Sequence, residues 1–267
     1  MRTPPPVRSK GVGGARPRQA SPRALAIGGG IVALIAIAVV LAVVLGRSSN
    51  PPSSNGLPTT GDANGAAALP GAPEANALFN GIPQKGLWLG KTSAPVTMQM
   101  FIDVQCPICK DYEVNSLPTI VQRYIRNGKV QLHLEPWAFI GPDSHSGRLA
   151  LIAASFQNRG FEYAKVLYDN QPPGSENTGW LNESMMGQIA ASVNGLDVPK
   201  VMSQRKESGA ADIASKVDQL ATKAKVGGTP TIFVGPTGGK LHNITGPGLA
   251  PTLQQTEQAL DAALANR

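Results

Sequence analysis

Cysteine, histidine and aromatic side chains are scarce in this chain of 267 residues: two Cys, three His and 5% aromatics. So few thiols exclude a scaffold stapled by several disulfides. A structural zinc site needs about four ligands, and the cysteines supply two. His133, His145 and His242 show no ligand-like spacing, and each reads more simply as a strand, helix-start or hairpin residue. Acidic residues are absent from the first 46 positions, which hold Arg2, Arg8, Lys10, Arg16, Arg18 and Arg23. All 17 acids face the remaining eighteen bases further on, so the net charge of +7 falls to +1 beyond the N-terminal tail. No basic face is left to bind nucleic acid.

What is present begins with Ala24 through Leu45, an apolar run without a charged side chain. At ~1.5 Å per residue it reaches ~33 Å, enough to cross a bilayer core of ~30 Å. Basic residues crowd its N-terminal side, so the positive-inside rule keeps the tail cytoplasmic and puts everything past residue 46 outside. A cleaved signal peptide would have a shorter apolar region of ~7–15 residues and a small-x-small site close behind. The expectation is therefore a cytoplasmic basic tail over 1–23 and a single-pass cell-membrane signal anchor over 24–45. Residues 46–79 are rich in Pro, Gly, Ser and Ala and predict a flexible linker that buries little. The remaining stretch, 80–267, is long enough for one folded domain.

Within it, 97–102 reads as a buried strand, followed by a helix from Pro107 to about Arg126, kinked at Pro118 and stopped by Asn127-Gly128. Residues 130–137 alternate as a second strand, spaced for parallel pairing. A mostly helical stretch spans about 140–226. A hairpin of 231–234 with 240–244 follows, and then a closing helix with Leu253, Leu260 and Leu264. The order βαβ, helices, ββα predicts an α/β fold with helices on both faces of a sheet.

Both cysteines fall in "FIDVQCPICKDYEV", at Cys106 and Cys109. A disulfide across so short a loop removes little chain entropy, so it is a poor staple. Pro107 suits the first helical position, which leaves Cys106 where free N–H groups and the helix dipole favour a thiolate. Cys109 lies one turn on, within reach to close a bridge. Outside the membrane such a pair cycles between dithiol and disulfide.

The run "GLWLGKTSAPVTMQMFIDVQCPICKDYE", with "GGTPTIFVG" at 227–235, resembles membrane-anchored DsbA-like thiol–disulfide oxidoreductases over most of 81–267. The resemblance implies a thioredoxin-like fold with a helical insertion, no cofactor beyond the redox disulfide, and no metal. It assigns attack to Cys106 and resolution to Cys109. It also assigns a cis-proline to Pro230, preceded by Thr229 and packed beside the thiols. Exported cysteine-containing proteins are the implied substrates, and a quinone-linked membrane protein the implied redox partner. Two departures stand out. Many relatives bury an acid six residues before the first cysteine, where this chain has Met100; Asp103 is nearer, and reads as a solvated loop carboxylate. Many also carry His or Tyr where this chain has Ile108, which points to a less oxidising couple. Reductase or isomerase activity, and a non-catalytic module holding unfolded exported chains, are the alternative readings.

Overall fold

A computed structural model describes residues 56–246 and 250–266. The expected tail and signal anchor lie outside these residues. Among the described residues no helix is long and apolar enough to cross a membrane.

The chain runs through a short helix α1 (Ala72–Phe79), strands β1 (Gln84–Lys85), β2 (Trp88–Leu89) and β3 (Val96–Ile102), and helices α2 (Pro107–Asn115) and α3 (Leu117–Ile120). After a π-helical turn (Val121–Ile125) comes β4 (Val130–Pro136). Five helices follow: α4 (Pro142–Ser155), α5 (Gly160–Asn170), α6 (Glu183–Ala191), α7 (Val198–Gln204) and α8 (Ser208–Lys223). Strands β5 (Thr231–Pro236) and β6 (His242–Asn243) and helix α9 (Leu253–Ala265) complete it.

The sheet order is β1-β2-β4-β3-β5-β6. β3 and β4 pair in parallel, from Val96 opposite Val130 to Ile102 opposite Pro136, across the α2–α3 crossover. β5 runs antiparallel to β3 and carries the hairpin to β6. Apolar side chains from Val96 to Ile102 are buried, with only Gln99 half-exposed, because the strand is central and covered on both faces. Side-chain caps set several helix starts. Asn182 Oδ1 accepts from Met185 N at 3.0 Å, and Asp197 Oδ1 accepts from Lys200 N at 2.9 Å. At α9, Thr252 and Gln255 form a reciprocal capping box.

Two expectations need correction. The helix from Pro107 to Arg126 is divided at Ser116, because Pro118 has no N–H to donate back to Val114. Its last turn widens to i→i+5 spacing, with Arg126 N bonded to Val121 O at 2.9 Å. The flexible linker expected over 46–79 does not extend that far. From Thr59 onward the chain bonds to the domain: Val198 N bonds Thr59 O at 2.9 Å, and Gly61 N bonds Leu196 O and Asp62 N bonds Ala191 O, each at 2.8 Å. Ala72, Ala75 and Phe79 of α1 are buried, and Phe79 meets Phe161 with ring centroids 5.9 Å apart. Small residues made this stretch look unable to bury surface, yet they are what lets α1 approach α5 closely.

Candidate active site

Cys106 caps α2, with Pro107 opening the helix as expected. Cys109 N donates to Cys106 Sγ at 3.3 Å, and the Cys106 thiol donates to Thr229 O at 3.2 Å. Both cysteines are unbonded and buried. Their environments differ. Cys106 lines a groove of about 590 Å³ together with Pro107, Ile108, Phe139 and the Gly227–Thr231 loop, and Cys109 does not reach it. A hydrogen bond from the Cys109 thiol is the main influence bringing Cys106 down to about 6. The backbone N–H groups of Cys109 and Ile108 add to it, and burial opposes it. Cys109, fully enclosed, is raised well above its ordinary value, chiefly by desolvation.

The Thr229–Pro230 peptide is cis, and both residues line the groove beside Cys106. Thr229 Oγ1 is buried without a partner among the described residues, which leaves it free to support a sulfur anion. Ile108 is 39% exposed at the groove mouth and Phe139 46%. Trp137 stacks on Phe139, with ring centroids 4.8 Å apart, and holds it there. Met100 is fully buried, so the position that carries an acid in many relatives is apolar here. Among the described residues no group of three or more His, Cys, Asp or Glu could hold a metal.

Asp103 corrects the reading of a solvated carboxylate. It is 1% exposed and accepts four hydrogen bonds: Gln105 N at 2.9 Å, Phe139 N at 2.9 Å, Ile140 N at 3.0 Å and Ser144 Oγ at 2.6 Å. One carboxylate thereby joins the cysteine loop, the groove strap and the start of α4. Tyr168 donates its hydroxyl to Asp103 O at 2.9 Å, and Asn177 N donates to Gln105 Oε1 at 2.7 Å. Sequence reasoning missed Asp103, Gln105 and Phe139 as parts of the site. The one available signal was local: Asp103 two residues before Gln105 is the spacing of an Asx turn.

A fully enclosed thiol one helical turn from an acidified one that lines a groove is the arrangement of a thiol–disulfide oxidoreductase. Comparison with known proteins agrees. The family model described as Thioredoxin matches residues 83–245. A probable disulfide bond formation protein D of Bacillus cereus is 32% identical over 183 residues, covering 66% of this chain and 77% of its own length. Disulfide bond formation protein D of Bacillus subtilis is 29% identical over 153 residues, covering 55% and 66% respectively. The structure of oxidised BdbD from Bacillus subtilis matches in fold with a TM-score of 0.59 at 23% identity, covering 69% of this chain and 97% of that one. The chain belongs to the thioredoxin family, among its DsbA-like disulfide oxidoreductases.

Proposed function

We propose that the chain is an oxidase, taking electrons from cysteine pairs of exported proteins outside the membrane. The observation that carries this is the inequality of Cys106 and Cys109. In the oxidised enzyme a substrate thiolate attacks Cys106 Sγ, the Cys106–Cys109 bond breaks, and Cys109 leaves with the electron pair and takes up a proton. The substrate's second thiolate then attacks its own sulfur in the mixed disulfide. The substrate disulfide forms and Cys106 departs as a thiolate. A thiol brought down to about 6 is a good leaving group, and its stabilised anion favours the reduced enzyme, which makes the couple oxidising.

Attack falls on Cys106 because it alone faces the groove. The Thr229–Pro230 loop and Phe139 would flank an extended substrate strand, and Pro230 offers it no competing N–H. An anchor at 24–45 would hold the domain outside, and a quinone-linked membrane protein would reoxidise the pair; the charge asymmetry around the apolar run supports the first. Equilibration of Cys106–Cys109 against glutathione tests the direction. A potential clearly more oxidising than about −270 mV fits an oxidase, and a value at or below that makes the chain a reductase. With Cys106→Ser/Cys109→Ser, exchange should vanish; binding of unfolded chains as the sole activity that ever existed would make it a holding module.

A further inference from the structure

A second cleft, of about 1180 Å³, shares no lining residue with the active-site groove. One wall is the sheet. Gln131, His133 and Glu135 alternate along β4 and so present one face to it. The opposite wall is α8, whose Ile213, Lys216, Val217 and Leu220 recur at helical spacing on one side. Where a helix covers a sheet, both faces are ordinarily apolar. Here the sheet face is polar and already satisfied. Gln99 Nε2 donates to Glu135 Oε1 at 2.8 Å, His133 Nδ1 stands 2.8 Å from the same oxygen, and Gln131 Nε2 donates to Thr97 Oγ1 at 3.0 Å. α8 packs instead through Ala210 and Ala214 on Ile152 of α4, and a cleft remains between its Ile213, Lys216, Val217 and Leu220 and the polar strand face.

The cleft is built for a ligand with two ends. Phe156 and Leu220 offer an apolar wall, and the Trp88 indole lies flat on the His133 ring, 3.8 Å between centroids, as a firm floor. Lys85, Lys91 and Lys216 also line it, and none of the three enters an ion pair among the described residues, whereas Lys165 and Lys206 do. The one carboxylate in the described lining, Glu135, is 2% exposed and held by His133 and Gln99. The three lysines are solvent-exposed, so the rim of the cleft carries positive charge. Gln84 Oε1, buried in the lining, has no partner and can accept from a ligand hydroxyl or amide. At about 1180 Å³ the cleft exceeds the roughly 300–1,000 Å³ usual for small-molecule sites, so a small ligand would occupy part of it.

We propose that this cleft binds a small amphipathic anion, an aliphatic or aromatic body bearing a carboxylate head. The body lies against α8 and the head meets the lysines. The test uses the full chain in lipid nanodiscs, photolabelled with decanoate carrying a terminal diazirine and mapped by peptide mass spectrometry. Label is expected on residues 208–223 and 84–93, suppressed at least about tenfold by excess decanoate and less than about twofold by decylamine. Lys216→Glu should lower labelling roughly fivefold, equivalent to about 1 kcal/mol. Leu220→Trp should obstruct the apolar wall and lower labelling, with the alkylation rate of Cys106 unchanged as evidence of folding. The proposal is overturned by absent label, by label confined to 24–45 or to the Ile108–Phe139 groove, by equal competition from decylamine, or by labelling that survives both variants. Displacement by an acidic peptide but not by decanoate would assign the cleft to a protein partner and equally overturn it.

Discussion

At the scale of residues, Cys106 and Cys109 are both buried, and they differ by which one lines the groove and by who donates to whom. In the reduced protein, alkylation of Cys106 should rise with a midpoint near pH 6, while Cys109 stays unmodified up to pH 9. Equal rates for the two thiols would sink the assignment. The potential should follow the same midpoint. Below about pH 6 reduction takes up two protons, and above it one, so the slope should fall from about 59 to about 30 mV per pH unit. Cys109→Ala removes the leading hydrogen bond to Cys106 and should move the alkylation midpoint upward. The two cysteines were legible as a pair because residue type and short spacing carry their chemistry, whereas Thr229 and Pro230 came from the family resemblance and lie beside Cys106 only through the fold. Asp103 was not legible. A carboxylate is read as solvated unless its partners are known, and Phe139, Ile140 and Ser144 reach it only through the fold. Asp103→Ala strands the backbone N–H groups of Gln105, Phe139 and Ile140 and should cost about 2–4 kcal/mol in denaturant unfolding; a loss under about 0.5 kcal/mol would show the clamp to be dispensable.

Among the elements, β3, β4, β5 and α9 could be read directly, since hydrophobic alternation and helical spacing follow from burial. The division of the first crossover into α2, α3 and a π-helical turn could be read only as a kink at Pro118. Where the missing hydrogen bond is absorbed depends on neighbours, not on Pro118 itself. α1 was illegible for a different reason. Eight residues with a single aromatic carry almost no pattern of their own, and their burial exists only against α5. Phe79 offers the measure of that contact. It is 1% exposed, so Phe79→Ala should cost about 3–5 kcal/mol and lower the melting temperature by on the order of 10 °C. A tether would lose nothing by the same change.

For the molecule as a whole, the buried carboxyl of Glu113 sets a pH dependence. It is 2% exposed, and burial raises it to about 8, with Lys165 opposing. Between about pH 4.5 and 8 the unfolded chain releases this proton and the folded one keeps it, so the folded state loses stability as pH rises. Glu113→Gln should remove the decline, melting higher than the parent at pH 7.5 by an amount that shrinks toward pH 4.5; parallel curves would show that Glu113 does not titrate as described. The Asp103 clamp has a broader mechanical meaning. It fixes Phe139 and the cysteine loop into one rigid jaw, whereas Gly227 and Gly228 opposite donate no backbone hydrogen bond among the described residues. Hydrogen exchange should accordingly be slow at Phe139 and Ile140 and fast at Gly227 and Gly228. A vice with one stationary jaw and one compliant jaw grips objects of unequal thickness while holding its working edge still. In the proposed exchange at a single sulfur, tolerance of differing substrates would come from the glycine side and aim from the aspartate side.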